Sequence, residues 1–188
     1  RSGPQCFRID TATGKVQATY TAPKHPNGKP ASWGFLACED GVLFGSIADE
    51  SHIVRHAYIR ADSHMKRQFS ESKSLFAFDV KSGKLLWKYD AAKSIRHNAI
   101  AIGAGRVHLI DRALAADDLL SRAAARRGQP PKTPSTVHPT GELIALNART
   151  GKREWKSNKD VFGTTLAFSK QYDILLMFYQ PTSFRLPS

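Results

Sequence analysis

The sequence has 188 residues, a mass of 20.8 kDa and a formal net charge of +12. Apolar residues make up 41% and charged residues 23%, an ordinary balance that excludes a wholly disordered chain. The longest apolar runs are far too short to span a bilayer, and the pI near 10 suggests an anionic partner. The chain starts with neither an initiator Met nor a leader-like apolar stretch, as expected of a mature product or a piece of a longer protein.

Three segments of the chain align without gaps, at residues 7–18, 76–87 and 144–155. In each, an apolar strand leads to Asp or Asn, then to Thr-Gly or Ser-Gly, and the glycines are 69 and 68 residues apart. We predict a β-hairpin at each copy, because the Asp or Asn side chain can bond turn N–H groups while glycine supplies a positive φ. The motif residues are Asp10, Gly14, Asp79, Gly83, Asn147 and Gly151.

A tryptophan follows the glycine by four residues in two of the copies. These residues are Trp87 and Trp155, and the first copy has Ala18 at the same position. A large flat side chain at a fixed place in a repeat suits packing between neighbouring sheets. We therefore expect Trp87 and Trp155 to dock on adjacent sheets, and the first copy to differ.

A further strand pair follows each copy. The pairs are residues 32–38 with 42–47, 98–102 with 107–110, and 164–168 with 174–178. Each unit then has four short antiparallel strands, A to D, which is the blade of an all-β propeller. The chain holds about three blades' worth of strands, in the order C-D, A-B-C-D, A-B-C-D and A-B. We interpret residues 1–188 as one propeller segment, with its blade strands within 5–47, 74–111 and 141–180.

Two long insertions separate strands B and C, at residues 48–73 and 112–140. Because strands alternate in direction, both insertions emerge on one face, where long loops on a rigid scaffold usually carry function. Residues 113–127 have high helix propensity, with Asp111 as a candidate N-cap, and residues 51–60 fit either helix or strand. Basic residues cluster in both insertions, so this face is either a docking surface for an anionic partner or a solvated surface. They are Arg55, Arg60, Lys66, Arg67, Arg122, Arg126, Arg127 and Lys132.

The starts of the A strands form the candidate ligand site, since Trp33, His97 and Thr165 occupy equivalent positions. In a propeller the start of strand A lies at the central funnel, here on the insertion side. Arg and His there could bind an anion, and Trp could stack on a flat ligand. The alternative is that these side chains only pack or hydrogen-bond at the funnel mouth. The candidate ligand-binding residues are Trp33, Arg96, His97 and Asn98.

The sequence assigns no catalytic residue and no metal site. His52 and His56 have helical i, i+4 spacing but lack the further ligands that zinc requires. The carboxylate pairs at 49–50 and 117–118 could bind calcium or act as acid and base, although the second pair better fits an exposed helix start. The two cysteines, Cys6 and Cys38, are expected to be buried rather than paired.

Residues 75–87 and 143–155 resemble the repeat of pyrroloquinoline quinone (PQQ)-like β-propellers of bacteria. The resemblance implies a periplasmic, cell-envelope or secreted protein. The family includes quinoprotein dehydrogenases, which bind PQQ and calcium, and an outer-membrane assembly lipoprotein that is a scaffold without a cofactor. The dehydrogenases add a vicinal disulfide, which Cys6 and Cys38 cannot form because they are not adjacent.

The resemblance therefore favours a binding or scaffold module with no cofactor, acting through its insertion-bearing face on a protein, polysaccharide or other anionic partner. Its open sheet edges would meet missing blades of the same propeller or another chain. The alternatives are a segment of a PQQ- and calcium-dependent alcohol or sugar dehydrogenase, and a hydrolase built on the insertions.

Overall fold

The computed structural model describes residues 3–25, 27–49, 53–54, 68–69, 71–113, 141–161 and 163–178. Within these ranges the chain forms thirteen β-strands and no helix, so nothing there is a helix that could cross a membrane. The strands are β1 (Gln5–Ile9), β2 (Val16–Thr21), β3 (Trp33–Glu39), β4 (Val42–Ala48), β5 (Ile53–Val54), β6 (Gln68–Phe69), β7 (Glu71–Asp79), β8 (Leu85–Gly103), β9 (Arg106–Arg112), β10 (Gly141–Asn147), β11 (Arg153–Ser157), β12 (Thr165–Ser169) and β13 (Ile174–Phe178).

The strands pair antiparallel throughout, and their order confirms the predicted partial β-propeller. A seven-stranded sheet has the order β11-β10-β9-β8-β7-β4-β3, while β1–β2 and β12–β13 form separate pairs. Blade 2 consists of β3, β4, β7 and the first half of β8, and blade 3 of the second half of β8, β9, β10 and β11. The pair β1–β2 supplies strands C and D of blade 1, and β12–β13 supplies strands A and B of blade 4.

One boundary differs from the prediction, because β8 runs through 19 residues without the expected break between strands D and A. Its middle is hydrogen-bonded on both sides: Ile95 pairs with Ser72 of β7 and with Asp111 of β9. For the same reason β7 begins at Glu71, three residues before the predicted start of the strand at 74. Continuous pairing thus joins blades 2 and 3 at the end that carries the insertions.

The three C–D turns have the predicted conformation. The Asp79 carboxylate accepts hydrogen bonds from the backbone N–H (2.7 Å) and hydroxyl (2.7 Å) of Ser82. Gly83 has a φ of 71° and donates to the Asp79 carbonyl at 2.8 Å. The turns at Asp10 and Asn147 repeat these bonds, with φ values of 70° and 68° at their glycines. A register shift precedes each turn, which is a β-bulge.

Trp87 docks on the next blade, as predicted. Its Nε1–H donates to the Ala148 carbonyl at 2.9 Å, and only 8% of the residue is exposed. The ring covers Gly151, where an added Cβ would lie 2.5 Å from Trp87 Cγ. The expectation was wrong for Trp155, which is 41% exposed, because the described residues hold no further C–D turn beyond it.

The first copy replaces the missing tryptophan with two other donors. The hydroxyl of Tyr20 and Nη1 of Arg8 both donate to the Val80 carbonyl, at 2.7 and 3.0 Å. Val80 occupies the position that Ala148 has in the next blade, one residue after the motif Asp or Asn. The acceptor carbonyl is therefore kept at both junctions, while its donor changes from an indole to a phenol and a guanidinium.

Three apolar clusters lie between the blades and form the core. The largest joins blades 2 and 3 and includes Phe44, Leu75, Trp87 and Ile144. Neither cysteine is paired, and the predicted burial is wrong for Cys38. This residue lies opposite Leu43 on the side of β3 that faces blade 1, and it is exposed because the described part of blade 1 holds only strands C and D. Cys6 is half-buried against blade 2.

Candidate functional site

Both long segments leave the sheets at the same end, as strand alternation predicted. The end of β4, the start of β7, the end of β9 and the start of β10 all meet there, beside the bend in the middle of β8. We call this the insertion-bearing end. Most of the chain from 50 to 70 and all of it from 114 to 140 fall outside the described residues, including the basic residues, histidines and helix predicted there.

Buried polar side chains concentrate at the insertion-bearing end. Burying a charge is costly unless the charge is paired and hydrogen-bonded, so each of these groups needs a partner. The buried polar residues at this end include Ser46, Asp49, Glu71, Ser72, Ser94, Asp111 and Arg112.

Glu71 forms a buried ion pair with Arg96. Its Oε1 lies 2.9 Å from Arg96 Nε, and the exposed side-chain fractions are 2% for Glu71 and 12% for Arg96. The other carboxylate oxygen accepts a hydrogen bond from the Ser94 hydroxyl at 2.8 Å. The carboxylate therefore ties the start of β7 to the middle of β8, where blade 2 passes into blade 3.

Asp111 holds the same bend from the other side. Its carboxylate accepts backbone N–H bonds from Ala92 (2.7 Å), Lys93 (2.9 Å) and Ser94 (3.2 Å), and a bond from the Tyr89 hydroxyl (3.2 Å). The sequence suggested Asp111 as a helix N-cap, but it lies within β9 and its carboxylate stabilises β8. Burial, together with the negative charge of Asp111, raises the pKa of Tyr89 above its usual range.

His97 begins a chain of side-chain contacts that crosses from blade 3 to blade 2. Its Nε2 lies 2.8 Å from the Ser72 hydroxyl, which lies 2.7 Å from the Ser46 hydroxyl. The Ser46 hydroxyl in turn accepts the backbone N–H of Phe35 at 2.7 Å. The imidazole rests on Gly34, where an added Cβ would come within 2.5 Å of Nε2.

The structure brings two of the predicted ligand-binding residues into this polar centre. Arg96 pairs with Glu71 and His97 contacts Ser72. Asn98 is exposed, and Trp33 is half-buried, with its Nε1–H donating to the Pro4 carbonyl at 2.9 Å. A ligand-binding role for Trp33, Arg96, His97 and Asn98 stays a prediction.

The described residues contain no group of three or more His, Cys, Asp or Glu side chains that could hold a metal ion. The buried carboxylates of Glu71 and Asp111 are bonded to protein donors, and Asp49 pairs with Lys73 at 2.9 Å. Among the described residues, these three carboxylates are thus engaged with protein partners.

Positive charge in the described part of the chain is not confined to the insertion-bearing end. A lysine follows each motif glycine at the opposite end, at Lys15, Lys84 and Lys152, and all three are exposed. Net charge alone therefore does not select a binding face. The buried polar centre, with two long segments leaving it, does distinguish the insertion-bearing end.

His108 is a buried titratable group at the junction of blades 3 and 4. Its ring stacks on Phe168, with centroids 5.6 Å apart and planes at 14°, and lies 5.8 Å from the Trp155 ring. Burial, and next the Arg106 charge, lower the pKa of His108 below its usual value. No sequence motif marks this group, since His108 lies at an ordinary strand position.

The unfolded chain binds a proton at His108 more readily than the folded chain does, so stability is expected to fall as pH drops below about 6.5. Urea unfolding at pH 7.5 and 5.5 measures the loss. His108→Phe is expected to reduce this pH dependence, because it removes the buried titrating group. Equal pH dependence in wild type and His108→Phe would contradict the assignment.

Comparisons with known proteins give a likeness in structure only. Neither protein-family models nor curated protein sequences match the chain. BamB from Moraxella catarrhalis is 14% identical with a TM-score of 0.43, over 88% of this chain and 36% of that one. A europium-containing methanol dehydrogenase is 15% identical with a TM-score of 0.43, over 80% and 20% of the two chains. The chain thus spans about a third of BamB and a fifth of the dehydrogenase, and its propeller assignment rests on the blades themselves.

Proposed function

We propose that this chain is part of a PQQ-like repeat propeller in a secreted or cell-envelope protein, and that it serves as a binding or scaffold module. It acts through the insertion-bearing end, on an anionic partner such as an acidic polysaccharide or protein. One observation carries the proposal: the buried charges at this end are used to fix strand ends. Glu71 and Asp111 together hold the bend of β8 from both sides.

A rigid base that carries long chain segments suits recognition. The buried bonds fix the points where residues 50–70 and 114–140 leave the sheets, and loops held on a rigid scaffold commonly form binding surfaces. In sequence these two segments carry eight Lys or Arg and four Asp or Glu residues, a net charge of +4. An anionic partner matches that charge.

The same bonds argue against chemistry at this centre. A nucleophile must be reachable by substrate, yet Ser72, the hydroxyl beside His97, is fully buried. A general base needs a free carboxylate or imidazole, and Glu71 is paired with Arg96. The chain is accordingly proposed to lack catalysis of its own and to need no cofactor.

Loop replacement tests the proposal. A variant in which short Gly-Ser linkers replace residues 50–70 and 114–140 loses a net charge of +4. The matched control replaces four exposed lysines with Gln at the opposite end and loses the same charge. Binding to heparin, used as an acidic polysaccharide probe, is measured by calorimetry at physiological salt. The control lysines are Lys15, Lys81, Lys84 and Lys152.

The loop-replaced variant is expected to bind heparin at least about tenfold more weakly than wild type, an affinity change worth about 1.4 kcal/mol. The control variant should lose much less affinity. Equal losses in the two variants would show that binding follows overall charge, and would overturn the assignment of the insertion-bearing end.

A further inference from the structure

A cavity of about 310 Å³ lies at the insertion-bearing end, between blade 2 and the segment that joins β2 to β3. One wall of the cavity is a row of opposed residues on three strands of blade 2: Ile47 on β4, Ser74 on β7 and Asp90 on β8. Directly opposed residues of antiparallel strands point to the same face, so these side chains share the wall. The volume is at the lower end of the range for small-molecule sites.

The facing wall of the cavity is fixed by local contacts. His25 lines the cavity from the segment between β2 and β3. Its backbone N–H donates to the Lys29 carbonyl at 3.0 Å, and its own carbonyl accepts the N–H of Gly28 at 2.8 Å. Near the two ends of this segment, Ala22 and Ala31 are buried in the apolar cluster between blades 1 and 2. The fold itself therefore forms the cavity.

Ser74 brings an unused hydroxyl to the cavity. The residue is 1% exposed, and its hydroxyl has no hydrogen-bond partner among the described residues. The hydroxyls of Ser46, Ser72 and Ser94, which are also buried at this end, are all hydrogen-bonded within the protein. Leaving a buried hydroxyl without a partner is costly, so a ligand atom that bonds Ser74 gains free energy there.

Positive charge lies beside this hydroxyl. Lys73 and Lys88 both line the cavity. Lys73 pairs with Asp49 at 2.9 Å, whereas Lys88, with a side chain only 26% exposed, pairs with the exposed carboxylate of Asp90. An ammonium group has three N–H donors, so the bond to Asp90 leaves donors on Lys88 for a ligand. A ligand carboxylate suits Ser74 and Lys88 together, because hydrogen bonds to an oxyanion are charge-assisted.

The cavity also offers an acceptor and an apolar surface. The Asp90 carboxylate can accept a hydrogen bond from a ligand hydroxyl. Ile47 and Ala91 line the cavity with carbon atoms, against which the C–H face of a sugar ring can pack. Donors for a carboxylate, an acceptor for a hydroxyl and an apolar patch together match a sugar that carries a carboxylate.

We propose that this cavity binds one uronate unit of an acidic polysaccharide, with the carboxylate on Ser74 and Lys88 and a ring hydroxyl on Asp90. The inference rests on the proposed function, since it names the group of an anionic partner that the insertion-bearing end recognises. The residues that line the cavity lie outside 50–70 and 114–140, so the loop-replaced variant retains all of them.

Titration of the whole chain with D-glucuronate, followed by NMR chemical-shift changes of the backbone amides, tests the cavity. D-glucose is the matched probe, because it keeps the ring hydroxyls and lacks the carboxylate. Glucuronate is expected to give saturable shifts and to bind at least about tenfold more tightly than glucose, since only its carboxylate makes the charge-assisted bonds.

Two variants remove the proposed carboxylate donors. Ser74→Ala and Lys88→Gln are each expected to weaken glucuronate binding at least about fivefold. The matched control is Lys84→Gln, which makes the same charge change at an exposed lysine of the opposite end and should leave binding unchanged. Ser74→Ala should also keep the urea midpoint of wild type, because its hydroxyl bonds no described protein group.

The absence of saturable glucuronate shifts in wild type, equal affinity for glucose, or full affinity in Ser74→Ala would each overturn the cavity assignment. The loop-replaced variant separates this outcome from that of the proposed function. It should keep its glucuronate affinity while its heparin affinity falls. Unchanged heparin affinity together with intact glucuronate binding would reject the role of the two segments and support the cavity.

A fall in heparin affinity without any glucuronate binding by wild type would reject the cavity alone.

Discussion

Replacing Arg96 with Met is expected to lower the free energy of unfolding by about 3–5 kcal/mol, as measured by urea titration at pH 7. The substitution leaves the Glu71 carboxylate buried without its cation, while the side chain of Met still fills much of the volume. The control is Lys156→Met, which breaks an exposed pair with Glu142 (2.7 Å) and should change stability by less than about 1 kcal/mol.

The double variant Arg96→Met with Glu71→Leu distinguishes the cost of an unpaired buried charge from the cost of lost packing. Removing both charges is expected to restore most of the stability lost in Arg96→Met, because no buried charge remains uncompensated. If Arg96→Met lowers the free energy of unfolding no more than Lys156→Met does, the ion pair is not buried as described. If the double variant is no more stable than Arg96→Met, the loss comes from packing and not from an unpaired charge.

Replacing Trp87 with Ala is expected to lower the free energy of unfolding by about 3–5 kcal/mol, because it empties the junction of blades 2 and 3. Trp87→Phe keeps an aromatic ring there but loses the Nε1–H bond to the Ala148 carbonyl, which should cost about 1–3 kcal/mol. Urea unfolding followed by far-ultraviolet circular dichroism measures both changes.

A pair of glycine variants tests the same junction from the other side. Gly151→Ala and Gly83→Ala carry a similar backbone penalty, since their φ values are 68° and 71°. Only Gly151→Ala also places a Cβ against the Trp87 ring. Gly151→Ala should therefore be the more destabilising of the two, and equal effects would contradict docking of Trp87 on this turn.

The parts of the fold that the sequence predicted are those encoded within a few residues. The turn at Asp79 and Gly83 needs only a local hydrogen-bond acceptor and a residue with positive φ, so the sequence of each repeat predicts it. The Trp87 position follows from the same repeat. The donors at the junction of blades 1 and 2 could not be predicted from the repeat, because Tyr20 and Arg8 do not occupy the tryptophan position. Only the structure shows that they replace it, since both donate to the Val80 carbonyl.

The candidate site was only half predictable for a similar reason. The repeat placed Arg96 and His97 at a strand start, but their partners depend on pairing between distant segments. Glu71 lies 25 residues before Arg96, and the register of β7 on β8 brings them together. The Asp111 carboxylate in turn accepts a bond from the backbone at the bend of β8. The sequence predicted a break between two strands there, so it did not predict that β8 is continuous. Exposure of Trp155 likewise depends on a neighbouring blade, not on local pattern.

The central claim about function is that this propeller segment supplies a binding scaffold and no redox chemistry. The most direct measurement is a titration of the longest polypeptide that contains this chain with PQQ in the presence of calcium, followed by dye reduction with alcohol and sugar substrates. We predict no saturable binding of PQQ and no dye reduction above the protein-free control. Saturable binding accompanied by alcohol- or sugar-dependent dye reduction would contradict the scaffold assignment.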